Sequence, residues 1–125
     1  IYPLLATDDV HYYDGTDTTC SYIMLACAPD ATDAELLQAI REKRFYATQG
    51  PEVHLDIVGD EAVVRCSPAA RITLFTNRVW GRCHSVRGEN LTEHRAKLDP
   101  TETFIRAEVT DANGKMAWSN TIRLK

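Results

Sequence analysis

Asp8, Asp9 and His11 stand in the run Ala6-Thr7-Asp8-Asp9-Val10-His11-Tyr12-Tyr13. A carboxylate oxygen is a hard ligand and an imidazole nitrogen a borderline one, a pair that suits zinc, manganese or iron. Alternate residues of a strand project to one side, so in an extended segment Asp9 and His11 would face a divalent ion together. Asp8, one position out of phase, could orient His11 from outside the ligand set. Asp-x-His is short, and by itself it reads more readily as a polar loop after a strand.

The elements that must position these residues follow from the flanking pattern. The apolar run Tyr2-Pro3-Leu4-Leu5-Ala6 predicts a strand over residues 2–7. Residues 8–19 form a loop, with Asp14-Gly15 and Asp17 as turn residues. Residues 20–28 are a second apolar run, stopped by Pro29-Asp30, and read as a strand. Thr32 and Glu35 have capping-box spacing. Leu36, Leu37, Ala39 and Ile40 then repeat at helical intervals, and Arg41, Lys43 and Arg44 suit a helix C-terminus, so a helix is expected over 33–43. Phe45 to Thr48 can pair as a strand before the turn Gln49-Gly50-Pro51.

After Pro51 the pattern is strands alone. Val53, Leu55 and Ile57 alternate with polar residues, Gly59-Asp60 is a two-residue turn, and 52–66 reads as a hairpin. Pro68-Ala69-Ala70 is expected to be a connector, followed by strands over 72–76 and 79–86, the latter with Gly81 as a bulge. Gly88-Glu89-Asn90 is expected as a turn. Leu91 to Leu98 could form a helix or a strand and is read as a strand because its neighbours are strands; Phe104 to Thr110 is a strand with Ile105, Ala107 and Val109 on one face. Asn113-Gly114 marks a hairpin loop whose return strand is Met116 to Leu124. Turn signals about every ten residues predict an antiparallel Ig-like β-sandwich of about seven strands.

The octet around Asp9 and His11, the helix after it and Arg44-Phe45-Tyr46-Ala47-Thr48-Gln49-Gly50-Pro51 together resemble the C-terminal end of PHP-family metal-dependent phosphoesterases (polymerase and histidinol phosphatase domain). In that family the last barrel strand ends in Asp-x-x-His or Asp-x-His, and a Phe-Tyr-Ala-Ser-like segment closed by Gly-Pro follows a short helix. The match covers about residues 1–52. The final Glu-Val-Thr-Asp and Ala-Trp-Ser-Asn words resemble the small β-domain that trails some PHP-like proteins. The resemblance implies that Asp9 and His11 bind a divalent metal cluster (zinc, manganese or iron) and that the substrate is a phosphorylated small molecule. Asp8, Tyr46, Thr48 and Gln49 would then support the ligands or wall the site. The family's opening His-x-His motif and its middle His and Glu ligands are not in this chain. With an opening Ile rather than Met, the expectation is a C-terminal fragment: a barrel-end remnant over 1–51 and a β-sandwich domain over 52–125, α+β in class. On two ligands alone the fragment should be catalytically inert and hold no cofactor of its own. Its barrel remnant must pack on the sandwich or on another copy, which makes a homo-oligomer through that remnant an expectation.

Bulk properties narrow the alternatives. At 125 residues, 44% hydrophobic and 26% charged, the chain can fill a modest globular core. The net charge of −4 and the dispersed basic residues exclude a basic groove for nucleic acid. No apolar run approaches the ~20 residues of a membrane-spanning helix. Cys20, Cys27, Cys66 and Cys83 contain no Cys-x-x-Cys pair and read as reduced thiols, which points to the cytoplasm. His54, His84 and His94 lack ligand spacing and are expected on the sandwich surface. Two rival readings stay open: a non-catalytic module whose sandwich binds carbohydrate or protein through an aromatic patch at Trp80, and a purely structural sandwich.

Overall fold

The computed structural model describes residues 2–79 and 84–125. Elements run β1 (Tyr22–Leu25), α1 (Asp33–Arg41), β2 (Phe45–Thr48), β3 (Val53–Val58), β4 (Glu61–Thr76), β5 (Ser85–Lys97), β6 (Phe104–Thr110), β7 (Met116–Trp118) and β8 (Ile122–Arg123). One short helix accompanies an antiparallel sheet, an α+β chain with a sandwich-like arrangement. The sheet has eight strands in the order β1-β2-β7-β6-β4-β3, with β5 on β4 and β8 on β6.

Helix α1 begins where its capping box dictates. Thr32 Oγ1 accepts from Glu35 N–H at 3.4 Å, and Glu35 Oε2 accepts from Thr32 N–H at 2.8 Å. The buried Ala39 sits on its inner face. The chain leaves the helix through Lys43 at φ 59°, and Arg44 N–H bonds back to Ala39 C=O at 2.9 Å. This sharp exit delivers Phe45 directly into β2, which pairs with β1 on one side and β7 on the other. Main-chain hydrogen bonding therefore runs through the sheet on both sides of residue 51.

The second half is built on the long pair β4–β5. The Gly59-Asp60 turn closes β3 on the first half of β4, Val58 facing Glu61. The second half of β4 pairs with β6 instead. Between them lie register shifts around Ala69. A strand can change partners this way at a bend, and a bulge supplies the bend. The expected connector at Pro68-Ala69-Ala70 is thus the bent middle of one strand of 16 residues. Pro68, which lacks an N–H, is tolerated there because ladder bonding is already interrupted. The expected turn at Gly88-Glu89-Asn90 also lies inside a strand, β5; Asn90 at φ 53° marks its irregularity.

Both halves of β4 contribute to one core. Val53, Ala62 and Val64 cluster with Ile72, Leu74, Ile105, Ala107, Val109 and Ala117. Fully burying a residue such as Ile72 or Ile105 contributes about 1.5–3 kcal/mol. On β6 the alternation holds as read: Ile105, Ala107 and Val109 are buried, while Arg106 pairs with Glu108 at 2.6 Å and lies over the Phe75 ring.

The return strand from Met116 is split. Its pairs with β6 shift by one residue between Trp118 and Ile122. At the break, Ser119 Oγ accepts from Ala107 N–H at 2.8 Å, a hydroxyl standing in for a ladder carbonyl. The larger correction concerns residues 2–7, which form no strand and are mostly exposed, Tyr2 at 93%. Pro3 lacks a ladder donor, and Leu4 N–H goes to the side chain of Asn120 at 3.2 Å. The Gly81 bulge, the Trp80 patch, Cys83 and half of the expected 79–86 strand (residues 80–83) lie outside the described residues.

Candidate metal-ligand loop and neighbouring cleft

The loop carrying Asp8, Asp9 and His11 is shaped by its own carboxylates. Asp8 Oδ2 accepts from Thr19 N–H at 2.5 Å and Oδ1 from Ser21 N–H at 2.6 Å, tying the loop's two ends together. These amides, Ser21 first, hold the Asp8 carboxyl below its ordinary pKa. Asp14 Oδ1 accepts from Thr16 N–H at 3.0 Å and Oγ1 at 2.7 Å, which lowers its pKa as well. Asp17 Oδ2 accepts from His11 N–H at 2.6 Å and Tyr12 N–H at 3.1 Å. Asp14 thus serves as the turn residue expected, whereas Asp17 also fixes the backbone of the candidate ligand, which sequence reasoning missed.

With Asp8 and Asp14 committed, Asp9 and His11 are different. Both are exposed, and among the described residues neither side chain has a hydrogen-bond or ion-pair partner. Strand alternation does not place them together, because the segment is not a strand. Asp9 instead takes φ 55°, a left-handed conformation that Asp tolerates better than most residues. Asp8 supports the loop rather than His11: its carboxylate oxygens are on Thr19 and Ser21.

The donor set can be compared with what a divalent ion needs. Carboxylate and imidazole are the right chemistry. Beside His11, Asp17 Oδ1 is enclosed and has no partner among the described residues, an anionic acceptor left open. Among the described residues, however, no group of three or more His, Cys, Asp or Glu converges on one point. Asp9 and His11 thus have suitable donor chemistry, and the described residues supply no complete ligand set around them.

The three other expected residues lie on and after β2. Thr48 is buried; its Oγ1 donates to Pro51 C=O at 2.6 Å and accepts from Gly50 N–H at 2.8 Å. Gln49 is stapled to β7, N–H to Met116 C=O at 2.8 Å and Oε1 from Met116 N–H at 3.1 Å. Thr48 and Gln49 thus use these side-chain atoms on the chain's own backbone. Tyr46 lines a cleft of about 720 Å³ with Met24, Phe45, Glu52, His54 and Leu55. Its ring meets His54 edge to face at 5.5 Å. Burial, then the charge of Glu52, push its phenol pKa up.

Asn120 joins these regions, a role the sequence did not announce beyond the Ser-Asn word. Its Oδ1 receives Leu4 N–H, and its Nδ2 donates to Phe45 C=O at 2.8 Å and Lys43 C=O at 3.1 Å. His84 departs from the surface expectation: its Nε2 lies 3.0 Å from the buried Glu102, whose other oxygen accepts from Asp99 N–H. Cys20, Cys27 and Cys66 are free thiols, with burial raising the pKa of Cys66. No described helix is long and apolar enough to cross a membrane. No family model, curated protein or solved structure matches this chain.

Proposed function

We propose that this chain is the C-terminal portion of a PHP-like metal-dependent phosphoesterase, and that Asp9 and His11 are two ligands of its metal cluster. One observation carries the reading. In a loop braced by Asp8, Asp14 and Asp17, only the Asp9 and His11 side chains among these residues are left without a partner, at the positions the motif resemblance picks out. The remaining ligands come from upstream of Ile1 in this reading.

When bound, a divalent cluster supplies Lewis acidity towards water and phosphate oxygens. The chain's own residues prepare the place for it. Asp8 fixes the loop ends, and Asp17 holds the main chain of His11 and Tyr12, which orders the backbone that carries Asp9 and His11. Such preorganisation is what ligand-bearing loops require. The substrate is a phosphorylated small molecule. The isolated chain is inert, since three or more protein ligands normally fix a hydrolytic metal.

Metal content of the intact protein tests this reading. Elemental analysis of wild type should find manganese, zinc or iron, and Asp9→Ala and His11→Ala should each lower the amount retained after dialysis. Equal metal in wild type and both variants would remove Asp9 and His11 from the ligand set.

A further inference from the structure

Among the described residues four strands have a partner on one side only: β1, β3, β5 and β8, the last of only two residues. An open edge invites pairing with another chain, and proteins blunt edges by shortness, charge or bulges. Strand β1 has only four residues. Strand β5 is long, but it carries Arg87, Glu89, Glu93, Arg95 and Lys97 and is shifted in register. Strand β3, Val-His-Leu-Asp-Ile-Val, has six residues, no Pro, no Lys and no register shift.

The free groups on β3 can be assigned. Ser67 N–H bonds to Glu52 C=O, and the two-residue turn pairs Val58 with Glu61. Antiparallel bonding alternates, so Glu52, His54, Asp56 and Val58 bond towards β4. The main-chain N–H and C=O of Val53, Leu55 and Ile57 point the other way. Glu52 to Asp56 also line the cleft walled by Met24 and Tyr46.

We infer that the β3 edge pairs antiparallel with the β3 edge of a second copy of this chain, centred on Leu55. The register satisfies main chain and side chains together. Leu55 then faces its own counterpart and Val53 faces the partner's Ile57, so every outward donor meets an outward acceptor. These apolar residues share one face and extend the core side across the junction. On the opposite face His54, which packs on Tyr46 of its own chain, stands directly opposite the partner's Asp56, a carboxylate whose own-chain neighbour is Arg65 at 3.3 Å. These are non-hydrogen-bonded pairs, where side chains approach most closely. Shifting the centre by one residue, to His54 or Asp56, would oppose main-chain groups already bonded to β4. The inference is independent of the metal reading, since it uses neither Asp9 nor His11.

Sedimentation velocity of the full 125-residue chain across a concentration series tests it. The expected result is a reversible monomer–dimer equilibrium. His54→Asp sets carboxylate against carboxylate at both symmetry-related positions and should weaken association by about tenfold. The exchange His54→Asp with Asp56→His again sets an imidazole opposite a carboxylate at both positions and, although it also removes the Asp56–Arg65 ion pair, should recover much of the affinity. Unchanged circular dichroism would show that both variants fold. A chain monomeric at all concentrations, or a dimer insensitive to His54→Asp, would overturn the proposal, as would a swap no better than the single variant.

Discussion

At the scale of single residues, the carboxylates of the N-terminal loop separate into braces and open groups. Asp8 is a brace whose effect depends on charge. Its folded pKa lies below the ordinary value of 3.8, so the stabilisation it gives the loop is fully present above that value. That stabilisation is lost as pH falls through the lowered folded pKa. Carboxyl NMR titration should show a depressed midpoint for Asp8, and the Thr19 and Ser21 amides should exchange faster as it protonates. An Asp8 midpoint at or above the ordinary value would contradict the hydrogen bonds assigned to it. Thr48 tests a different reading. Its hydroxyl serves Pro51 and Gly50 in a buried turn, so Thr48→Val should cost about 1–3 kcal/mol in chemical denaturation. Unchanged stability would return Thr48 to the list of wall residues. The candidate ligands Asp9 and His11 were legible by residue type. Their partners were not, because a hydrogen bond from Asp17 to the backbone of His11 leaves no mark in residue spacing.

At the scale of elements, local chemistry predicted best where it is self-sufficient. The capping box fixed the start of α1, and the Gly59-Asp60 turn fixed the β3–β4 register. Thr32→Ala should cost about 1 kcal/mol, read as a lower denaturation midpoint. A midpoint unmoved by that change would mean that α1 is held by packing alone. Prediction failed where pairing decides. Residues 2–7 have the composition of a strand, but a strand exists only against a partner, and Leu4 N–H is taken by Asn120. Pro68 reads as a break, yet the bend it occupies lets β4 serve β3 and β6 in turn. The one-residue shift at Ser119 is equally local and depends on a hydroxyl replacing a carbonyl. The part-buried His84–Glu102 contact joins residues 18 apart in sequence, which no local pattern specifies. Glu102→Ala would strand Asp99 N–H and the His84 ring, and should destabilise the chain by about 1–3 kcal/mol.

At the scale of the molecule, an α+β chain with a sandwich-like sheet was legible from turn spacing and alternation. That one sheet would carry hydrogen bonds from β1 and β2 through β7 into the β-rich half was not. Pairing of β2 with β7 joins residues about seventy apart, and neither strand specifies the other by composition. The sheet thereby anchors β1 immediately after the Asp8-braced loop, so the candidate ligands project from an ordered base. Their role is tested most directly by hydrolysis of p-nitrophenyl phosphate by the intact protein, measured with and without added manganese or zinc, beside Asp9→Ala. The account predicts metal-dependent turnover in wild type and loss of at least about a hundredfold in the variant, as removal of a metal-organising group implies. Equal activity in the two proteins, or none in wild type with either metal, would contradict it.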